Sequence, residues 1–181
     1  MSLRGEIKLN SFNLMGVRID PLTMDETVQA VEKFVLDQRP LHLMGVNADK
    51  INQCQTDESI KKIVNDSEII NADGASVVLA SRFLGYQVPE RVAGIDLMQK
   101  LLHLANKKSY SVYFFGAKEE VLVDMLEIFK KDYPNLRVLG HRNGYFSEED
   151  EYGIQEDIRE KNPDFRFSSN TRLINVTFPT K

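Results

Sequence analysis

An aspartate followed at once by glycine, in Asn71-Ala72-Asp73-Gly74, stands where the apolar run Glu68-Ile69-Ile70 hands over to the helical spacing of Ser76 to Phe83. Two roles fit a carboxylate at such a junction. It can cap the helix by accepting a hydrogen bond from a backbone N–H two or three residues on. It can also face a substrate, because the missing side chain of Gly74 allows close approach and a carboxylate there can take a proton from a bound hydroxyl. Both roles can hold at once. Asn47, which follows the run Leu41 to Val46, and Asn71 are polar residues in comparable positions, and each fits a turn former at least as well as a ligand contact. Arg91, in Pro89-Glu90-Arg91-Val92-Ala93-Gly94, is a forked cation on a turn-rich stretch, the shape a diphosphate selects. A surface arginine is the plainer reading, and Arg82 is a weaker candidate for the same task.

What is missing narrows the chemistry. There is no G-x-G-x-x-G and no G-x-x-x-x-G-K-[ST], so neither a dinucleotide fingerprint nor a P-loop is claimed. No H-E-x-x-H occurs, and His42, His103 and His141 are dispersed, so no metal and no cofactor is assigned. An Asp-x-Asp pair, which many sugar transferases use to hold a divalent ion on a donor diphosphate, is also absent. A diphosphate leaving group would then rely on protein cations and a helix N-terminus. Cys54, the only cysteine, excludes an intrachain disulfide and reads as a core thiol.

The elements that must position these residues alternate. A hairpin around Gly16 precedes a helix whose Thr23 and Glu26 have capping-box spacing and whose Val28, Val31, Phe34 and Val35 form an apolar stripe. Strands are then predicted at Leu41–Val46, Glu68–Asn71, Tyr110–Phe115 and Leu136–Leu139. Helices follow each of them, with a further helix from about Asp96 to Asn106. This alternation predicts an α/β, Rossmann-like parallel sheet with helices on both faces, and a short N-terminal β-hairpin. Such sheets bind ligands beyond the carboxyl ends of their strands. That rule selects Asn47, Asp49, Asn71, Asp73, Gly116, Lys118, His141, Arg142 and Asn143.

At 181 residues, with 42% hydrophobic and 28% charged, the chain suits one globular domain. A net charge of −4 offers no basic field for nucleic acid. No apolar run approaches the roughly 20 residues that cross a bilayer, and the start lacks a secretory h-region, which predicts a cytoplasmic protein. Self-association is left open.

Taken in order, Gly45-Val-Asn47-Ala-Asp, Asn71-Ala-Asp73-Gly, Arg91-Val-Ala-Gly-Ile-Asp96, Tyr113-Phe-Phe-Gly116-Ala-Lys118, Gly144-Tyr-Phe146 and Asn162-Pro-Asp164 resemble the WecG/TagA/CpsF glycosyltransferases. The resemblance implies inverting, metal-independent transfer of N-acetylmannosamine from UDP-N-acetylmannosamine, as a step in making the wall teichoic acid linkage unit. The acceptor it implies is the 4-hydroxyl of N-acetylglucosamine on undecaprenyl diphosphate. On matching positions it implies Asp73 as catalytic base, Asn47 in the sugar pocket and Arg91 at the donor phosphate or acceptor, with Asn71, Gly74 and Gly116 as further binding residues. Two departures stand out: Gly45 replaces a threonine common among relatives, and residues 166–181 do not match the family. The family's basic, aromatic C-terminal region, associated with docking at the inner membrane face, is not found. The expected organisation is a leader over residues 1–10 that cloning could have added, a core over 11–165 and a non-matching tail over 166–181, with weak or no activity in this length of chain. Two other readings are a non-catalytic nucleotide-sugar-binding module and, more remotely, a phospho-receiver, which would need an acidic pair that Gly45-Val46-Asn47 does not supply.

Overall fold

A computed structural model of the chain describes residues 10–168. The expected leader, apart from Asn10, and the expected tail beyond residue 168 lie outside the described residues. The described residues form two compact units, one of residues 10–37 with 41–97 and one of residues 38–40 with 98–168.

In the first unit, β1 (Phe12–Leu14) and β2 (Val17–Ile19) pair antiparallel around Met15 and Gly16, both at positive φ. Helix α1 (Met24–Leu36) opens on the predicted capping box and buries Thr27, Ala30, Val31 and Phe34, which recur at helical spacing. Strands β3 (Leu43–Val46) and β4 (Ile69–Ala72) are parallel, with Gly45 opposite Asn71. All four residues of β4 are buried, as are three of β3, which is why both read as unbroken apolar runs rather than as alternation. Helices α2 (Ala48–Thr56) and α3 (Glu58–Asp66) connect them, and α4 (Ala75–Phe83) follows β4. Leu14, Val17, Ile19, Met44, Val46, Ile70 and Val77 belong to one core cluster. The buried carboxylate of Asp20 joins hairpin to sheet by accepting from Ser11 Oγ at 2.5 Å and from the Ile70 N–H at 2.7 Å, with Arg18 Nη2 at 3.3 Å.

Helix α5 (Gly94–Lys108) leads from the first unit into the second. There β5 (Ser111–Phe115) is the middle strand of a parallel sheet between β6 (Arg137–Arg142) and β7 (Phe165–Ser168), with helices α6 (Glu119–Asp132) and α7 (Glu148–Lys161) in the connections. Tyr113 and Phe115 pack with Ile154, Ile158 and Phe146. The predicted α/β alternation and the hairpin are observed, and the parallel pairing is distributed over two sheets, β3-β4 and β6-β5-β7. Boundaries move by a residue or more: β4 runs on to Ala72, one residue past Asn71, and β6 to Arg142, so His141 and Arg142 lie within a strand rather than beyond it.

Candidate functional site

Asp73 is the first residue past β4, and its N–H donates to Val46 O at 3.0 Å, extending the ladder by one bond. The side chain is thereby fixed at the carboxyl edge of the β3–β4 pair, 28% exposed. It does not cap the helix: the N-cap of α4 is Gly74, with no side-chain cap bond. The capping alternative is therefore corrected: α4 begins at Ala75, so the residue that flanks its first turn is Gly74 and not the aspartate.

Glycines make room around this carboxylate. A methyl built on Gly45 would stand 3.1 Å from both Cβ and Oδ2 of Asp73, and one on Gly94 would stand 3.5 Å from Oδ2. A methyl on Gly74 would meet Cα and Cβ of Asn47 at 3.2 Å. A methyl at position 45 or 74 would need its neighbour to give by a few tenths of an ångström, whereas one at position 94 would make ordinary van der Waals contact with the carboxylate. No local pattern announces the approach of Gly45 and Gly94 to Asp73, since each is close only after folding.

Arg91 faces Asp73 from the loop between α4 and α5. Its Nε–H donates to Asp73 O at 2.5 Å, and Nη2 stands 3.8 Å from Oδ1, with the arginine side chain 54% exposed. The loop beneath it is tied at several points. Val92 N–H donates to Ala72 O at 2.9 Å, and Glu90 Oε1 accepts from the Met24 N–H at 2.5 Å. Arg82 donates to Val88 O at 3.2 and 3.0 Å and to Pro89 O at 3.0 Å. The expectation that Arg82 could serve a diphosphate is corrected, because its guanidinium braces this loop. The Glu90 clamp had no sequence signal, as its partner lies 66 residues away.

Asn47 is the N-cap of α2, its Oδ1 accepting from the Lys50 N–H at 2.9 Å. The residue is exposed, and its Nδ2 has no hydrogen-bond partner among the described residues. Asn71, by contrast, is 1% exposed within β4, which ends at Ala72 rather than at Asn71 as expected. Gly116 follows β5 in the second unit at φ 126°, and its N–H donates to Arg142 O at 2.9 Å. A methyl there is excluded by backbone conformation, and Gly144 packs against it closely enough that a methyl on Gly144 would stand 3.2 Å from Gly116 Cα.

An open cleft of 930 Å³ elsewhere in the first unit is lined by residues that include Phe12, Pro21, Thr23, Glu26, Arg82 and Tyr86. It is a poorer site than the Asp73 edge. Thr23 and Glu26 are engaged in the capping box, Arg82 with loop carbonyls, and Phe12 stacks on Tyr86 with ring centroids 4.3 Å apart. Among the described residues no group of three or more His, Cys, Asp or Glu gathers to hold a metal ion.

The chain is an α/β protein with a half-buried carboxylate at the carboxyl edge of parallel strands, opposed by an arginine fork. The chain belongs to the glycosyl transferase WecG/TagA/CpsF family, whose model matches residues 12–169. Relatives are named N-acetylglucosaminyldiphosphoundecaprenol N-acetyl-beta-D-mannosaminyltransferase. That of Bacillus subtilis (strain 168) is 34% identical over 101 residues, 56% of this chain and 39% of the relative. That of Staphylococcus aureus (strain NCTC 8325 / PS 47) is 30% identical over 157 residues, 86% of this chain and 61% of the relative. The matched stretch thus spans less than two thirds of these relatives' length. No helix among the described residues is long and apolar enough to cross a membrane.

Proposed function

We propose that the chain carries the catalytic core of an inverting glycosyltransferase that moves N-acetylmannosamine from UDP-N-acetylmannosamine to N-acetylglucosamine on undecaprenyl diphosphate. The β-1,4 linkage formed would belong to the wall teichoic acid linkage unit. The observation that carries this reading is the uncapped carboxylate of Asp73 at the strand edge, with the glycines of positions 45, 74 and 94 around it and Arg91 across from it. The relatives' names supply the donor sugar and the acceptor class.

In this mechanism the acceptor 4-hydroxyl gives its proton to Asp73 as its oxygen attacks the anomeric carbon. The bond from that carbon to the UDP oxygen breaks on the opposite face, which inverts the configuration. Negative charge then develops on the departing diphosphate, where a guanidinium stabilises it more in the transition state than in the bound donor. Arg91 takes that role. Asn47 offers its free amide to sugar hydroxyls, and Gly74 allows the acceptor to approach the base. Asn71 supports the site from within the strand. No metal takes part, and the enzyme works at the cytoplasmic face of the membrane where its lipid acceptor resides.

The test is UDP release with a short-chain polyprenyl-diphosphate-N-acetylglucosamine acceptor, alongside calorimetric binding of UDP. Asp73→Asn should lower turnover by about 10²–10⁴-fold, the span of general-base catalysis, while UDP binding is kept. Unchanged turnover in Asp73→Asn would remove Asp73 as the base, whereas UDP binding without turnover in the unsubstituted protein would favour a non-catalytic nucleotide-sugar-binding module.

A further inference from the structure

The side-chain amide of Asn71 is buried yet incompletely bonded. Thr27 has one hydroxyl proton and gives it to Thr23 O at 2.8 Å, so its 3.4 Å approach to Asn71 Oδ1 is at best a weak second bond. Nδ2 has no partner among the described residues. Turning the amide over would let nitrogen donate to Thr27 and leave the oxygen unpaired instead, so one end is an orphan either way. Buried amide groups are nearly always hydrogen-bonded, and an exception points to an additional ligand.

Strand geometry says where that ligand sits. Asn71 is opposite Gly45 in the β3–β4 register, and residues two apart on a strand share a face, so Asn71 and Asp73 lie on one face with Gly45 alongside. Gly45 contributes no side chain there, and Asp73 leans over it, with Oδ2 3.1 Å from where a methyl would be. A buried water needs two to four polar partners. The Asn71 amide, Asp73 Oδ2 and the lone pairs of Thr27 Oγ1 are three on this face.

We propose that Asn71 is a positioning residue for Asp73, acting through a single water held beside Gly45 that bridges the Asn71 amide to Asp73 Oδ2. The water donates one proton to the carboxylate and meets the unpaired end of the amide with its other proton or a lone pair. The kinetic consequence rests on Asp73 being the base; the water site itself does not. By holding one carboxylate oxygen, the bridge fixes the direction in which the other meets an acceptor hydroxyl.

The experiment uses the full chain labelled with ¹⁵N, with the Asn71 side-chain NH₂ signal assigned by its loss in Asn71→Ala. In the unsubstituted protein this signal should show a cross-peak to a long-lived bound water. Gly45→Ala, whose methyl would stand 3.1 Å from Asp73 Oδ2 and take the space beside it, and Asp73→Ala should each abolish the cross-peak. No water cross-peak in the unsubstituted protein, or one that survives both substitutions, overturns the proposal, and neither result depends on turnover. In the UDP-release assay Asn71→Ala and Gly45→Ala should lower kcat about ten- to a hundredfold, as loss of a hydrogen bond to a charged group does, with KM for the UDP-sugar unchanged. Normal kcat in both variants beside an inactive Asp73→Asn would sink the positioning role alone. Full turnover in Asp73→Asn would instead sink the base.

Discussion

Arg91 bonds the backbone of Asp73 rather than its carboxylate: Nε–H meets the carbonyl oxygen at 2.5 Å, while Nη2 stays 3.8 Å from Oδ1. With the arginine 54% exposed, the ion pair is long and screened and contributes little. The carbonyl contact is different in kind, because it orients a planar fork at a fixed place beside the carboxylate. One edge of the guanidinium is held by the chain, leaving N–H groups for an anion.

Arg91→Ala should therefore weaken UDP binding by about ten- to a hundredfold, the value of a charge-assisted hydrogen bond. Arg91→Lys should weaken it too, because one ammonium cannot hold the Asp73 carbonyl and present a planar fork to a diphosphate together. Calorimetric titration with UDP checks both. Affinity in Arg91→Lys equal to that of the unsubstituted protein would mean that charge alone suffices and the backbone contact is incidental.

Gly140 marks the register shift between β5 and β6, where Val112 pairs with Val138 but Tyr113 with Gly140. A methyl built on Gly140 would stand 2.7 Å from Tyr113 Cε2 and 3.1 Å from Lys161 Nζ. The lysine can swing away; the ring cannot, since Tyr113 is 1% exposed. Gly140→Ala should destabilise the protein by about 1–3 kcal/mol through overpacking. Gly153→Ala is the control on α7, where a methyl meets nothing within 4 Å. Urea denaturation of the pair should show the loss only at position 140.

Tyr113 also sets an alkaline limit. Burial, and then the hydrogen bond from its hydroxyl to Asp157 Oδ2 at 2.8 Å, push its ionisation well above the ordinary phenol range. The unfolded tyrosine loses its proton near pH 10, the folded one only at higher pH. The stabilisation is thus complete below about pH 10 and is lost as pH rises beyond it, because ionisation favours the unfolded chain. Tyr113→Phe should flatten the fall in stability above pH 10, at a cost of roughly 1 kcal/mol at pH 7 for the lost bond. Thermal melts between pH 8 and 11 read this directly, and an unaltered alkaline slope would remove Tyr113 as its source.

The elements were legible where local chemistry dictates them. Thr23 and Glu26 announce a helix start by spacing alone, and the capping box forms as read. Gly16 announces the hairpin, since its turn needs positive φ. Asp73 was found from its place after an apolar run, yet its relation to the helix was not, because the exact first residue of α4, Ala75, decides that Gly74 rather than the aspartate stands at the cap. What sequence could not carry was distance. Gly45, Gly94 and Glu90 act on partners 28, 21 and 66 positions away by their own numbering, and no periodicity encodes such meetings. Arg82 misled for a related reason: a cation's type shows that it can bind an anion, but only the fold shows that two loop carbonyls hold it.

The same capping box that was plain in the sequence makes a pH-dependent contribution. Glu26 accepts from the Thr23 N–H at 2.7 Å and the Thr23 hydroxyl at 2.9 Å, and these two bonds, the backbone one first, lower its ionisation below the usual carboxylate range. A group lowered in the folded state stabilises above its unfolded value, near pH 4.3 for glutamate, and loses that stabilisation as pH falls through the folded value. Thr23→Ala removes the one hydroxyl that both accepts from the Glu26 N–H and donates to the Glu26 carboxylate. It should cost about 1 kcal/mol at pH 7, as N-cap losses do. As pH falls through the lowered folded value the unsubstituted protein itself loses the carboxylate bonds, so the gap between the two proteins should narrow toward the Glu26 N–H cap alone. Urea midpoints at pH 7 and pH 3 measure both gaps, and equal gaps would mean that Glu26 takes no part in the acid dependence.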